Sequence, residues 1–314
     1  MSGPEDRDWV GTWFELAEQR GESCDVPFGT VGPDEGATTW RSFAHRSVDG
    51  IGAMGELLGI GPDQLPVATA TTRERPARAL PSPFMRKPSA RWRSLDPTKL
   101  GAPSGRGHRL LSAESTQRIR DAAKAGGVSV NSLLAWALAR AVEDELDRSV
   151  GPLLFEMPVN LRGAPSLAEL TPRGNVFATL TADFGLASPA DLHAAVQAAL
   201  VRGEHWSSWN ALNVGREQGL DFVRNAASGA AAGTGFRVGV LSNLGAWDRS
   251  EPSLAGIVFS PPPAQRTPLA AGAVTWNGRL GLMMLAHANL AEAAPRLETW
   301  LARWVDAAVA GPHP

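Results

Sequence analysis

Cysteine, tyrosine and long apolar runs are the scarce features of this 314-residue sequence, which contains one cysteine, Cys24, and no tyrosine. A single cysteine excludes an internal disulfide and a cysteine-based metal cluster, and it favours a reducing compartment. Without tyrosine, no phenol can act as a catalytic acid or base. No apolar run approaches the roughly 20 residues that span a bilayer, and the acidic start "MSGPEDRDWV" is unlike a signal peptide. We therefore expect a cytoplasmic protein without a membrane span.

Neither sign of charge dominates the chain. Thirty Lys and Arg residues face 32 Asp and Glu residues, for a formal net charge of -2. This balance gives no argument for a nucleic-acid partner. A hydrophobic content of 43% is typical of a globular protein, and the length suits one large domain or two ordinary ones.

Hydrophobic periodicity and turn residues predict a mixed α/β fold, a two-layer α+β sandwich. We expect helices at 8–20, 112–127, 129–146, 188–200 and 290–309, and a weaker, glycine-containing helix within 49–61. Strands are expected at 38–44, 152–162, 175–184, 236–245, 255–260, 271–278 and 279–288. The last two should form a hairpin through Asn277-Gly278. Residues 21–37, rich in Gly, Pro and acidic residues, are expected to form a loop.

The segment "AHRSVDG" places His45 four residues before Asp49, which Gly50 follows. A metal site is disfavoured, because no second ligand lies at a suitable spacing, and no Gly-x-Ser-x-Gly elbow for a nucleophile occurs. A general base needs only a substrate hydroxyl or amine within reach, and an ordinary histidine pKa of about 6.5 suits that role. Asp49 could pair with a distant arginine, and Gly50 could give the turn backbone room. A purely structural histidine is the alternative.

This motif resembles the His-His-x-x-x-Asp-Gly motif of the chloramphenicol acetyltransferase-like superfamily. That group includes condensation domains, wax ester synthase/diacylglycerol acyltransferases and polyketide-associated acyltransferases. Four later segments are similar to family segments and follow in the family's order: "VSVNSLLAWALARAV" (128–142), "FEMPVNLRG", "RGNVFATL" and "LSNLG" (241–245). Ala44 stands where the family has its first histidine.

The resemblance implies a chloramphenicol acetyltransferase-like fold of two lobes, of which the second is more complete. Residues 1–72 would form a shortened N-terminal lobe that carries the motif, or a lobe that another chain completes. Residues 73–107 would be a Pro- and Arg-rich crossover, and residues 108–314 the C-terminal lobe. Within the crossover, the basic strip 73–93 has seven basic residues and one acidic residue. It would be either a solvated connector or a docking strip for an acidic carrier protein.

The family's site residues transfer by position. His45 would be the general base, with Asp49 and Gly50 in structural roles and Arg162 of "PVNLR" as the salt-bridge partner of Asp49. The family strand that "LSNLG" resembles reaches the active site. Ser242 and Asn243 would therefore either stabilise an oxyanion as catalytic residues or form an ordinary polar strand end. The resemblance implies no metal and no bound cofactor, and it identifies no cofactor-binding residue.

The implied activity is acyl transfer in natural product biosynthesis. A thioester of coenzyme A or of a carrier protein would be the co-substrate and donor, and an alcohol or amine the acceptor. One alternative is cyclisation, elimination or isomerisation of a biosynthetic intermediate by the same base. The other is a non-catalytic protein that binds a carrier protein through the basic strip 73–93 or completes a partner.

Overall fold

The structure is a computed structural model that describes residues 7–85, 87–231, 236–249 and 253–311. Arg86 of the basic strip 73–93 lies outside the described residues. So do residues 1–6 of the expected N-terminal lobe and residues 232–235, 250–252 and 312–314 of the expected C-terminal lobe.

Helices and strands both occur throughout the chain, so the predicted mixed α/β class is confirmed. The helices are α1 (Trp9–Glu18), α2 (Gly50–Leu57), α3 (Ala70–Arg73), α4 (Ala113–Ala125), α5 (Val130–Val142), α6 (Pro189–Val201), α7 (Glu204–Leu212), α8 (Gly215–Ala231) and α9 (Leu297–Ala310). The strands are β1 (Asp25–Val31), β2 (Thr38–Ala44), β3 (Arg91–Trp92), β4 (Gly105–Leu110), β5 (Leu146–Asp147), β6 (Leu154–Asn160), β7 (Phe177–Asp183), β8 (Gly239–Trp247), β9 (Gly256–Phe259), β10 (Leu269–Trp276) and β11 (Arg279–Ala286).

The strands form two main sheets. The larger has six strands in the order β4-β11-β10-β8-β6-β7, and the smaller has the order β2-β1-β9. In the larger sheet β8 runs parallel to both of its neighbours, whereas the other pairs are antiparallel. Strand β9 pairs with β1, so a strand from late in the chain completes the sheet of β1 and β2. The division into 1–72, 73–107 and 108–314 stays a prediction.

The two faces of the larger sheet pack against different elements, as the two-residue period of a strand requires. On β10, Ala271 and Ala273 belong to the main core, which helices α4, α5 and α9 share. The alternate residue Gly272 faces the smaller sheet, and a Cβ there would overlap the carbonyl oxygen of Phe259 on β9. A side chain at this position would therefore force the two sheets apart.

We expect Gly272→Ala to lower the free energy of unfolding by about 1–3 kcal/mol, since overpacking costs this much where the neighbouring backbone cannot move. Urea denaturation followed by tryptophan fluorescence measures the change. Gly126→Ala is the control, because a Cβ at Gly126 would meet its nearest neighbours only at ordinary contact distance, 3.4 Å and beyond. Equal stability of the two variants would contradict the close approach of the sheets.

One predicted loop was wrong. Residues 21–37 contain β1, the central strand of the smaller sheet. Pro27 and Gly29 hide the strand pattern, because both residues are depleted in strand interiors. Pro27 is accommodated because residue-to-residue pairing with β9 begins only at Phe28. The predicted helix at 290–309 also differs, since Ala288–Arg296 forms a 3₁₀ segment before α9 begins.

Among the described residues, no single helix is both long and apolar enough to cross a membrane. One pair bent by 102°, Ala113–Ala125 with Val130–Glu145, meets the criterion by length and composition only.

Candidate active site

The motif loop connects β2 to α2. Strand β2 ends at Ala44, and α2 begins at Gly50, directly after Asp49. Asp49 is the N-cap of α2, and its Oδ1 accepts a hydrogen bond from the backbone N–H of Gly52 at 2.9 Å. A carboxylate in this position satisfies a free helix N–H and interacts favourably with the helix dipole. Gly50 gives close packing, since a Cβ there would lie 2.9 Å from Leu244 Cδ2 on β8.

Asp49 also forms the buried ion pair for which the sequence proposed Arg162. Arg162 Nη2 donates to Asp49 Oδ1 at 2.6 Å, and only 3% of the Arg162 side chain and 6% of the Asp49 side chain are exposed. The second carboxylate oxygen accepts the backbone N–H of Val176 at 3.2 Å. One carboxylate thus ties the motif loop to the end of β6 and to the segment that enters β7.

Three further N–H donors of Arg162 are also occupied by protein groups. Its Nε donates to the carbonyl oxygen of Pro172 at 2.6 Å, and Nη2 also donates to that of Gly174 at 2.9 Å. Nη1 donates to Asn160 Oδ1 at 3.3 Å. These bonds hold the guanidinium in place. Arg162 therefore fixes the positions of Asp49 and of the segment 172–174 and so maintains the shape of the site.

His45 is oriented by an amide that the sequence analysis did not single out. His45 Nδ1 lies 3.1 Å from Asn175 Oδ1. The Nδ2 group of Asn175 donates to Asp8 Oδ2 and to the backbone carbonyl of His45, both at 2.9 Å. Since both of these partners only accept, Nδ2 is the nitrogen and Oδ1 must be the atom that faces the ring. His45 Nδ1 therefore carries the proton, and Nε2 keeps its lone pair, with no hydrogen-bond partner among the described residues.

Two phenylalanines enclose the imidazole. The ring of Phe14 on α1 stacks on His45 at 3.8 Å between centroids with an interplanar angle of 14°, and Phe177 on β7 lies at 5.5 Å. Helix α1 can approach the motif loop because a Cβ at Gly11 would overlap the carbonyl oxygen of Arg46. Burial lowers the pKa of His45, and the nearby charge of Asp49 only partly opposes that shift. The packing therefore favours the neutral imidazole.

The six residues proposed from the sequence line one cavity of about 60 Å³: His45, Asp49, Gly50, Arg162, Ser242 and Asn243. The cavity lies where β6 and β8 separate. These parallel strands pair only at Phe155↔Gly239 and Glu156↔Val240, after which their carboxyl-terminal halves diverge. A crevice outside the carboxyl ends of strands is a common place for a ligand in α/β sheets. The volume suits a reacting group rather than a whole substrate, since a water molecule in the liquid takes about 30 Å³.

Ser242 and Asn243 on β8 present hydrogen-bond donors at this cavity. Asn243 Oδ1 accepts the backbone N–H of Gly245 at 2.9 Å, which leaves the Nδ2 amide as the available group. The hydroxyl of Ser242 makes no hydrogen bond to the described residues, and this residue is 7% exposed. Each of these two residues at the cavity wall therefore carries an unused hydrogen-bond donor.

The sequence analysis missed Asp8, Phe14 and Asn175 as parts of this site. Asn175 lay inside the quoted segment "RGNVFATL", but nothing in the sequence indicated its contact with His45, which is 130 residues away. Aromatic residues at helical spacing pointed to α1 as a packed helix and gave no sign of its position over the motif. Among the described residues, no group of three or more His, Cys, Asp and Glu side chains is placed to hold a metal ion.

No protein-family model matches the chain, and no curated protein matches it either. Similar solved structures include the trichothecene 15-O-acetyltransferase of Fusarium sporotrichioides, at 15% identity and a TM-score of 0.49, with 98% of this chain and 75% of that chain covered. Polyketide synthase associated protein 5 from Mycobacterium tuberculosis is 16% identical, with a TM-score of 0.46 and coverage of 88% and 74%.

The wax ester synthase/diacylglycerol acyltransferase of Marinobacter aquaeolei VT8 is also similar, at 14% identity and a TM-score of 0.42 over 65% of this chain. The matched part is 47% of that chain, so this protein spans about half the length of that relative.

Proposed function

We propose that the protein is an acyltransferase that moves an acyl group from a thioester to an alcohol or amine. The donor would be coenzyme A or a carrier protein, and the reaction would belong to natural product biosynthesis. The observation that carries the proposal is the contact between His45 Nδ1 and Asn175 Oδ1, from which we assign the ring proton to Nδ1. The Asn175 amide holds the proton on Nδ1, so that Nε2 is a free base in the cavity.

The mechanism uses His45 as both base and acid. Nε2 removes the proton from the acceptor O–H or N–H as the acceptor atom attacks the thioester carbonyl. The C–S bond then breaks, and the departing sulfur takes the proton that His45 Nε2 gained. Acceptor and donor together supply every atom of the ester or amide and the thiol, so no further co-reactant is needed.

Ser242 and Asn243 would stabilise the tetrahedral intermediate. Its oxyanion accepts hydrogen bonds from the Ser242 hydroxyl and the Asn243 amide, the two donors that line the cavity with His45. One such donor contributes about a hundred- to a thousand-fold in kcat in other acyl-transfer enzymes. The ion pair of Asp49 and Arg162 keeps the loop and its histidine in place and takes no part in proton transfer.

The basic strip 73–93 is the proposed docking surface if the donor is a carrier protein. Two of its arginines also attach the crossover to other parts of the protein through hydrogen bonds. Arg75 donates to Asn210 Oδ1 at 2.9 Å, and Arg93 donates to the Leu146 carbonyl at 3.1 Å. Docking on such a strip would weaken as salt is added, because screening lowers the attraction between exposed charges.

Product analysis tests the proposal against its alternatives. The protein is incubated with a panel of acyl-coenzyme A and acyl-carrier donors, with and without mixed alcohols and amines, and products are identified by mass spectrometry. An ester or amide formed only with an acceptor is the expected result. A product that forms without an acceptor and without thiol release would indicate rearrangement. Salt-sensitive carrier binding without any product would indicate a binding protein.

The pH dependence of kcat/KM should report a histidine with a depressed pKa. Since burial lowers the pKa of His45 below 6.5, the base form persists as the pH falls to that value. The rate should be near its plateau at neutral pH and fall only as the pH drops through a midpoint below 6.5. Steady-state rates between pH 5 and 8 measure this profile. A midpoint above 6.5 would contradict the assignment.

Asn175→Ala should lower kcat about five-fold, because one orienting hydrogen bond of about 1 kcal/mol is lost and the proton can move to Nε2. The midpoint of the pH profile should also fall, since the bond from Asn175 raises the pKa of His45. The matched control is Asn210→Ala on α7, whose partner is Arg75 rather than His45. An unchanged midpoint in Asn175→Ala would indicate a structural role only.

A further inference from the structure

A second cavity, of about 510 Å³, lies between the β6–β7 strand pair, helix α7 and the loop that precedes β10. We call it the polar cavity. Its walls carry both carboxyl and guanidinium groups as well as several hydroxyls. The side chains used below are Glu156, Thr181, Glu204, Ser207 and Arg237.

The polar cavity lies farther along the same sheet face as the β6–β7 residues that line the His45 cavity. Alternate residues of β6 share a face, and Phe155 and Met157 face the main core. The opposite face carries three successive cross-strand pairs, Asn160↔Phe177, Pro158↔Thr179 and Glu156↔Thr181. The first pair lines the His45 cavity, the last lines the polar cavity, and the middle pair contributes one residue to each. Four residues of strand from Asn160 to Glu156 span about 13 Å.

Two buried polar atoms at the polar cavity lack hydrogen-bond partners among the described residues. Arg237 is 7% exposed, and its Nη2 donates to the Phe84 carbonyl at 3.1 Å, whereas its Nε has no partner. Glu204 is 3% exposed, and its Oε1 accepts from Arg202 Nη2 at 2.7 Å, whereas its Oε2 has no partner. Buried polar atoms without a partner are rare and costly, and two residues of this cavity wall each have one.

Glu156 adds a second carboxyl group that makes no hydrogen bond to the described residues. Burial raises its pKa, and the charges of Arg237 and Arg266 oppose that shift. Carboxyl and guanidinium groups thus line the polar cavity together, so no single sign of charge on a ligand suits them all. A hydroxyl suits both kinds of group, because it donates to a carboxyl oxygen and accepts from a guanidinium N–H.

We propose that the polar cavity binds an uncharged, hydroxyl-bearing end of the acceptor, about 13 Å along the sheet from the group that reacts at His45. The inference rests on the acyl transfer proposed above. The reacting hydroxyl or amine lies at His45, and the chain of the acceptor follows the face of β6 and β7. The distal hydroxyl then donates to a carboxyl oxygen of Glu156 or Glu204 and accepts from Arg237.

The test compares decanol with the decanediol that carries a second hydroxyl at its far end, whose extended length matches this span. Calorimetric titration should show about ten-fold tighter binding of the diol by the wild-type protein, the effect of one good hydrogen bond. The preference should disappear in Glu156→Leu and weaken in the nearly isosteric Thr181→Val. Glu114→Gln, an exposed carboxyl on α4, is the control and should keep it.

A His45→Ala arm separates this inference from the proposed function. The polar cavity does not include His45, so this variant should keep the preference for the diol even though transfer is lost. If neither the wild type nor His45→Ala transfers an acyl group, but both bind the diol more tightly than the alcohol, the subsite is supported and the proposed reaction is wrong. Equal binding of both alcohols by the wild type, binding of neither, or a preference unchanged in both subsite variants would overturn the subsite.

Discussion

His45→Ala is expected to reduce kcat for acyl transfer about a hundred- to ten-thousand-fold, the usual contribution of a positioned general base. The loss follows from the site geometry. Nε2 of His45 is the unprotonated ring nitrogen at the cavity, and the residues proposed to contact the intermediate, Ser242 and Asn243, donate hydrogen bonds rather than accept a proton. Product formation at saturating donor and acceptor measures the effect.

His108→Ala is the matched control for this loss. His108 lies on β4 and packs edge-on against Trp40, outside the His45 cavity. Its replacement should leave kcat unchanged. If His45→Ala kept the wild-type rate while remaining folded, another group would have to take the proton, and the role given to His45 would be wrong.

Asp49→Ala should lower the free energy of unfolding by about 3–5 kcal/mol, because it leaves Arg162 as a buried charge without its counterion. The variant also loses the N-cap bond to Gly52 and the bond from the backbone N–H of Val176. Urea denaturation, followed by the fluorescence of the 11 tryptophans, measures the change. Activity should fall as well, since the same loop carries His45.

Glu298→Ala removes one partner of an exposed ion pair and is the control for Asp49→Ala. Its carboxylate lies 3.9 Å from Arg109, and 62% of the Glu298 side chain is exposed. Exposed pairs contribute about 0–1 kcal/mol, so little change is expected. If Asp49→Ala lost no more stability than Glu298→Ala, the buried pair would not be what holds the motif loop.

Local signals predicted much of the fold. Ser112, Ser129 and Ser188 each cap the helix that follows, and a serine directly before an apolar periodic segment is a usual helix-start signal. Asn277-Gly278 forms the turn of the β10–β11 hairpin, with both residues at positive φ. Strand β1 was missed because its own Pro27 and Gly29 argue against a strand, while part of its pairing is with β9, more than 200 residues later.

The candidate site, like the fold, was predicted from the sequence only in part. His45 and Asp49 stand in one short motif, and the resemblance placed Arg162 opposite Asp49, where the structure has the ion pair. The tautomer of His45 depends on Asn175 and on Asp8. These three residues come from three separate parts of the chain. Single hydrogen bonds between distant residues leave no periodic pattern in a sequence, so this part required the structure.

Acceptor-dependent thiol release tests the central claim most directly. Free thiol is followed with a chromogenic reagent while acyl-coenzyme A or acyl-carrier donors are mixed with increasing concentrations of an alcohol or amine. The chain's own Cys24 does not interfere, because burial and nearby carboxylates raise its pKa to about 12 and the thiol stays protonated. We predict release that rises with acceptor to saturation and is lost in His45→Ala. Release that is independent of acceptor, or unchanged in His45→Ala, would contradict acyl transfer by this histidine.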